Sequence, residues 1–126
     1  MRRHLLLIDD DEEEFLFISK IIEEIPGAKS SYTSNITNGI ELLKTGIPDI
    51  VLLDMNMPCQ DGLECLKLLR QEESFASIPI IIYSAGADEY LAAEASKHGA
   101  DGCIKKPPGI DLLRQMLLKI LGAGSL

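Results

Sequence analysis

Cysteine is scarce in this chain, and the few cysteines form no recognisable pair. The sequence has three, Cys59, Cys65 and Cys103, with no C-x-x-C motif among them. A disulfide framework needs an even number of cysteines, and a structural zinc site usually needs paired C-x-x-C ligands. The pattern argues against both and predicts reduced thiols that mainly serve packing.

Positive charge and long apolar runs are also in short supply. Lys and Arg number 12 against 20 Asp and Glu, for a net charge of -8, and such a field repels nucleic acid and anionic membranes. No apolar run approaches the roughly 20 residues that a membrane span needs, and the N-terminus has no basic-then-apolar leader with a cleavage site. We therefore expect a cytoplasmic protein that binds neither nucleic acid nor membrane directly.

Short apolar runs alternate with amphipathic stretches along the whole chain, without a linker between them. The predicted strands cover residues 4–8, 29–34, 49–53, 78–83 and 101–105, and the predicted helices cover 12–25, 36–44, 61–71, 88–98 and 110–121. Strict alternation predicts an α/β fold, a doubly wound (βα)5 sandwich around a parallel sheet. The length of 126 residues suits one domain, so we assign residues 1–126 to a single unit.

The first predicted helix has the clearest amphipathic pattern. Its three leading glutamates suit the positive N-terminal end of a helix dipole. Helical spacing predicts one buried face, formed by Phe17, Ile18, Ile21, Ile22 and Ile25. Phe15 and Leu16 fall just outside this face, and because exposed apolar residues often mark partner surfaces, we expect both to contact a partner protein.

Polar residues follow four of the five predicted strands. Residues 9–11 are aspartates after the first run, Asp54 follows the third, Ser84 the fourth, and Lys105 and Lys106 end the fifth. Ligands of doubly wound sheets bind beyond the carboxyl ends of the strands. We therefore expect these side chains to converge on one site.

Three carboxylates brought together need compensation by a proton or a hard cation. Mg²⁺ fits best, because it prefers oxygen ligands and is typically held by one or two carboxylates plus a phosphate. A lysine adds a fixed positive charge suited to phosphate. Carboxylates, a divalent cation, a lysine and a hydroxyl are together the parts needed for phosphoryl transfer.

The chain resembles the response-regulator receiver domains of two-component signalling, in particular the single-domain, chemotaxis-regulator-like members. The similarity covers residues 4–121 and is carried by "LLLIDDD", "NGIELL", "DIVLLDMNMPCQDGLECLKLLR", "IPIIIYSAG" and "HGADGCIKKP". It implies the flavodoxin-like strand order 2-1-3-4-5. It also implies a cytoplasmic phosphoacceptor that catalyses only its own phosphorylation and dephosphorylation and relays a signal by changing conformation.

The resemblance assigns a role to each residue of the expected site. Asp54 would accept the phosphoryl group as a nucleophile and form an acyl phosphate. Asp10 would coordinate Mg²⁺ directly and Asp9 largely through water, with Asp54 and the backbone carbonyl of Asn56 as further ligands. The phosphoryl donor would be a sensor histidine kinase or a histidine phosphotransfer protein, and the downstream target is a protein that the sequence does not identify.

The same resemblance assigns the phosphate-binding and switch positions. Lys106 would pair with a phosphate oxygen, while Ser84, with its neighbour Ala85, would bind the phosphate and act as the switch. The Lys106–Pro107 bond would be cis. Lys105, which does not directly precede the proline, would be a bystander, and Pro58 and Gly62 would shape the loop beside Asp54.

Two positions depart from the family pattern. Cys103 stands where the family usually has a Tyr or Phe, so the aromatic rotamer switch is missing. Pro108 stands where an apolar side chain commonly follows "KP", and it stiffens the entry to the last helix. With a thiol in place of a ring, we expect phosphorylation to be read mainly from the loop "SAGADEYL".

Other interpretations remain open for parts of the pattern. Asp11 and residues 12–14 are better explained as a helix cap and dipole partners than as ligands, and Asp61-Gly62 could be only a turn and helix start. His4 and His98 resemble no phosphohistidine site. Only "GAGSL" follows the last predicted helix, so we expect no output domain here, although a fragment of a longer regulator would look the same.

Rival functions for the whole chain are a metal-dependent phosphohydrolase and a degenerate receiver used as a scaffold. The phosphohydrolases also form an aspartyl phosphate, but they need an acid two residues after the nucleophile, and that position here is Asn56. A degenerate scaffold is disfavoured because every position of the acidic pocket is filled.

Overall fold

The structure, a computed structural model, describes residues 3–57 and 60–122. Within these ranges the side chains of residues 36, 43–45, 56–57, 60–61 and 74 are not described. Pro58, expected to shape the loop beside Asp54, and Cys59 lie outside the described residues.

A parallel sheet of five strands forms the middle layer. The strands are β1 (Arg3–Ile8), β2 (Ala28–Thr33), β3 (Ile50–Leu53), β4 (Ile80–Ser84) and β5 (Gly102–Lys105). Their order is β2-β1-β3-β4-β5, and every neighbouring pair is parallel. The predicted flavodoxin-like order is therefore confirmed, as is the position of each strand to within two residues.

Helices follow each strand, and polar side chains fix where several of them begin. They are α1 (Glu12–Glu23), α2 (Ile36–Thr45), α3 (Gly62–Gln71), α4 (Glu89–Lys97) and α5 (Ile110–Ile120). Asp11, Asn35 and Asp88 each accept a backbone N–H from the first turn of α1, α2 and α4, at 3.0, 2.8 and 2.8 Å. The predicted capping role of Asp11 is confirmed.

Alternate side chains of the buried strands belong to two separate apolar layers, one on each face of the sheet. Leu6 and Ile8 of β1 pack on the face that α2, α3 and α4 cover, and Leu66 and Leu69 of α3 are buried in the same layer. Leu5 and Leu7 pack on the opposite face against α1 and α5. Burial on both faces explains why β1 and β3 are apolar without alternation.

The buried face of α1 is rotated from the predicted one. Ile18, Ile21 and Ile22 are buried as expected, but Phe17 is 49% exposed. Phe15, predicted to lie outside, packs on the core and stacks on Tyr32 with ring centroids 5.0 Å apart. Phe15 precedes Ile18 by three residues and so shares its face, whereas Phe17 is its immediate neighbour, about 100° around the helix.

Two small elements were not predicted. An antiparallel pair, Asn56–Met57 with Gln60–Asp61, forms the turn after β3, and a single 3₁₀ turn covers Glu73–Phe75. The backbone of Met55 in this region lies against Gly62, the first residue of α3: a Cβ there would meet the Met55 Cα at 2.5 Å. Gly62 is therefore needed for close backbone approach. No helix within the described residues is long and apolar enough to cross a membrane.

Candidate phosphoacceptor site

The predicted site residues meet at the carboxyl ends of β1, β3 and β4. Asp9 and Asp54 directly follow β1 and β3. The backbone hydrogen bonds of the sheet continue into both residues: Asp9 N–H donates to Thr33 O at 3.1 Å, and Asp54 N–H donates to Ile8 O at 2.9 Å. Ser84 is the last residue of β4. Asp9, Asp54 and Ser84 are all buried. The sheet edge thus fixes them side by side.

Three carboxylates form the cluster that the sequence predicted. Oxygens of Asp9, Asp10 and Asp54 all lie within 4.8 Å of one another. Asp10 is exposed, whereas Asp9 is engaged on both oxygens: it accepts Asp11 N–H at 2.9 Å and the Lys106 ammonium at 2.9 Å. The donor set is all oxygen, which suits a hard divalent cation. Asn56 lies in the antiparallel pair two residues beyond Asp54, and its role as a carbonyl ligand stays a prediction.

Lys106 supplies the positive charge inside this cluster. Its Nζ lies 2.9 Å from Asp9 Oδ2 and 4.0 Å from Asp54 Oδ1. Burial by itself would lower the pKa of Lys106, but the hydrogen bond and charge of Asp9, with the charges of Asp54 and Glu14, outweigh it and raise the pKa. The lysine therefore remains an ammonium at neutral pH.

Lys105 points elsewhere, as predicted. It is exposed and lines a shallow surface pocket with Asp88, Glu89 and Cys103 on the α4 side of the sheet. Successive residues of a strand face opposite sides, so only one of the two lysines can reach Asp54.

The predicted cis bond before Pro107 is wrong for this structure. All peptide bonds of the described residues are trans, Lys106–Pro107 included. A trans bond is the default by about 0.5–1 kcal/mol unless surrounding contacts select cis. Here Lys106 N–H donates to Ser84 O at 3.0 Å and its ammonium reaches Asp9 from the trans backbone, so the lysine is placed without a cis bond.

The predicted switch positions lie at the end of β4, beside the cluster. Ser84 Oγ accepts Gly86 N–H at 3.3 Å, and Ala85 is exposed just beyond it. Cys103 is partly buried against the α4 side of the core. Burial, with the charge of Asp88, raises the pKa of its thiol, which agrees with a packing role.

Sequence reasoning missed two residues next to the lysine. The Tyr83 ring lies under Lys106, with Nζ 5.5 Å from the ring centroid, and the Tyr83 hydroxyl donates to Glu14 at 2.5 Å. Glu14 was assigned to the helix dipole with Glu12 and Glu13. Helical spacing could have predicted its position, because Glu14 precedes the buried Ile18 by four residues and so lies on the same, inward face.

Comparison with known proteins decides the family. The family model described as response regulator receiver domain matches residues 5–118 of the sequence. The chain belongs to this family. Receiver domains are signalling modules of two-component systems, and the match does not favour a phosphohydrolase.

Individual relatives of this receiver domain differ in length. The nitrate/nitrite response regulator NarL of Escherichia coli is 36% identical over 118 residues, which cover 93% of this chain and 52% of NarL. The chemotaxis protein CheY of Halobacterium salinarum is 34% identical, covering 85% of this chain and 87% of that protein. The chain thus spans about half the length of NarL and most of CheY.

A solved structure agrees with the fold of this receiver domain. The response regulator domain of Thermotoga maritima CheB superposes with a TM-score of 0.82 at 25% identity, covering 97% of this chain and 95% of that chain. The acidic cluster therefore sits on the sheet expected of a receiver domain.

Proposed function

We propose that this receiver domain accepts a phosphoryl group on Asp54, in a Mg²⁺-dependent reaction, and relays the signal by a change of conformation. One observation carries the proposal: Asp54 is buried at the end of the middle strand, inside a cluster with Asp9 and Asp10 and 4.0 Å from the Lys106 ammonium. The donor is a phosphohistidine on a sensor histidine kinase or a histidine phosphotransfer protein.

The transfer requires an anionic nucleophile and charge neutralisation around the phosphoryl group. An Asp54 carboxylate oxygen attacks phosphorus, the new P–O bond forms as the P–N bond to the donor imidazole breaks, and the imidazole leaves with the electron pair. Lys106 is close enough to Asp54 to pair with an oxygen of the transferred group. The hydroxyl of Ser84 and the backbone of Ala85 lie on the β4 side, where they bind another oxygen.

The residues present fit the expected cation. Asp10 is the exposed member of the cluster, so it is suited to bind Mg²⁺ directly, with Asp54 and the Asn56 carbonyl. Asp9 already holds Lys106 and Asp11 N–H, so it is suited to act through water. When bound, Mg²⁺ neutralises charge on the phosphoryl oxygens.

The test is incubation of the chain with Mg²⁺ and acetyl phosphate, followed by intact-mass analysis. We expect one phosphoryl adduct, which does not form when a chelator is present from the start and is absent in Asp54→Ala. Asp111→Asn, which alters an exposed aspartate of α5, is the matched control and should be modified like the parent chain. A stoichiometric adduct on Asp54→Ala would disprove the assignment.

A further inference from the structure

Tyr83 joins the phosphoacceptor site to the first turn of α1. It directly precedes Ser84 in β4, and its side chain is fully buried on the sheet face that α1 and α5 cover. Its hydroxyl donates to Glu14 Oε1 at 2.5 Å. Burial, followed by the hydrogen bond and charge of Glu14, raises the pKa of this hydroxyl, so it stays protonated and remains a donor.

The same tyrosine ring bounds the space available to Lys106. The ammonium lies 5.5 Å from the ring centroid, within range of a cation–π attraction. The ammonium also lies 2.9 Å from Asp9 and 4.0 Å from Asp54. The lysine side chain is only 18% exposed, so its position is set by these few groups.

Glu14 places a further carboxylate near the lysine. It is half-buried on the inward side of α1, unlike the exposed Glu12 and Glu13, and its charge acts on Lys106. A lysine paired with Glu14 would be drawn toward α1 and away from Asp54. In the structure, the Tyr83 hydroxyl donates a hydrogen bond to Glu14, and the Tyr83 ring lies under the lysine ammonium.

We propose that Tyr83 and Glu14 form a positioning pair that keeps the Lys106 ammonium directed at Asp9 and Asp54. Neither residue touches the reacting phosphoryl group. The ring supports the lysine from the α1 side, and the hydroxyl binds Oε1 of Glu14, a carboxylate that would otherwise draw the lysine toward α1. The catalytic consequence rests on the proposed phosphorylation of Asp54.

The test is a double-mutant cycle built from Tyr83→Phe, Glu14→Gln and the combined variant. Tyr83→Phe keeps the ring but frees the Glu14 carboxylate, so we expect the maximal rate of phosphorylation by acetyl phosphate at saturating Mg²⁺ to fall about tenfold. Adding Glu14→Gln removes the competing charge and should restore the rate to within about threefold of the parent. Tyr32→Phe, which removes a hydroxyl from the same sheet face, is the matched control.

A purely structural role for Tyr83 gives a different result. In that case the double variant would be as slow as Tyr83→Phe or slower, and the proposal would be overturned. Thermal unfolding of each variant separates a loss of fold from a loss of rate. Rescue by Glu14→Gln at equal stability is the outcome that supports the positioning pair.

Crystal structures of the parent chain and Tyr83→Phe separate this proposal from the proposed function. We expect the Lys106 ammonium to move from Asp9 toward Glu14 in the variant, and an unchanged lysine would overturn the positioning role. If the parent chain accepts no phosphoryl group, the proposed function fails, while the crystal structures still decide what positions the lysine.

Discussion

The Lys106 ammonium lies 2.9 Å from Asp9 and so occupies one oxygen of this buried carboxylate. The backbone N–H of Asp11 occupies the other oxygen at 2.9 Å. Asp9 is therefore already charge-paired before any cation binds, whereas the exposed Asp10 carboxylate faces solvent beside it. This difference predicts unequal roles in metal binding.

We predict that Asp10→Asn weakens Mg²⁺ binding more than Asp9→Asn does. In the proposed arrangement the first change removes a ligand that contacts the cation directly and the second removes one that acts through water. We expect a difference of about 1 kcal/mol, or roughly fivefold in affinity. Isothermal titration of both variants, with Asp111→Asn as the control, measures it. Equal losses would contradict the assignment of direct and water-mediated ligands.

The surroundings of His4 predict that the protein loses stability at mildly acidic pH. Burial and the charge of Lys29 lower the pKa of His4, with Asp49 opposing, and its Nε2 lies 2.7 Å from Ser31 Oγ. Because the folded state binds the proton less well than the unfolded state, stability falls as pH drops through about 6.5, the unfolded pKa. The loss should be under about 1 kcal/mol, since partial exposure screens the shift.

Urea unfolding of the parent chain and His4→Gln between pH 5 and about 8 measures whether the free energy of unfolding falls with pH as expected. The parent should lose more stability than His4→Gln on acidification. Parallel pH profiles for the parent and His4→Gln would show that His4 contributes nothing.

Gly62→Ala should destabilise the fold. An added Cβ would lie 2.5 Å from both the Cα and the Sδ of Met55, and a backbone atom cannot move aside as a side chain can. We expect a loss of about 1–3 kcal/mol in the free energy of unfolding. Gly46→Ala, where nothing lies within 4 Å of the added Cβ, is the control, and an equal effect would refute the packing argument.

The sheet and the acidic cluster could be predicted from the sequence because both follow from short-range patterns. Apolar runs end in polar residues at fixed places, and parallel strands bring those ends to one edge. Asp9, Asp54, Ser84 and Lys106 therefore meet as expected. That these residues meet follows from the order of the strands.

What escaped prediction depends on how side chains pack between elements. The pattern of α1 placed Phe17 inward and Phe15 outward, but the helix is rotated so that Glu14 and Phe15 face the sheet. The contact of Glu14 with Tyr83 joins residues 69 positions apart, and no local pattern encodes it. The state of the Lys106–Pro107 bond likewise depends on tertiary contacts rather than on the dipeptide.

The corrected face of α1 changes which residues should meet the phosphodonor protein. Leu16 and Phe17 are 54% and 49% exposed, and Phe17 lines a cavity of about 310 Å³ with Pro107 and Pro108, next to Glu14. We predict that Leu16→Ala and Phe17→Ala slow transfer from a histidine-containing donor about tenfold but leave transfer from acetyl phosphate unchanged.

Phe15→Ala serves as the contrast, because Phe15 packs on the core and stacks on Tyr32. It should lower the free energy of unfolding by about 1–3 kcal/mol. Transfer rates from both donors, measured beside urea unfolding, distinguish the two effects. Equal slowing with both donors in Leu16→Ala and Phe17→Ala would place these residues outside the docking surface.

The response to phosphorylation should pass through Ser84 rather than Cys103. Ser84 is fully buried, its Oγ accepts Gly86 N–H at 3.3 Å, and its carbonyl accepts the N–H of Ala87 and of Lys106. A shift of Ser84 toward a phosphoryl group on Asp54 therefore pulls directly on the loop that leads to α4. Cys103 has a small side chain whose rotation barely changes the surface.

Hydrogen exchange over residues 84–92, with and without beryllofluoride, tests this route. Ser84→Ala should remove most of the difference between the two states, because the loop loses its hydroxyl contact, while Cys103→Ala should keep it. Tyr90, 75% exposed near the start of α4, lies within the measured segment and should report the change. If Cys103→Ala loses the response and Ser84→Ala keeps it, strand β5 carries the switch instead.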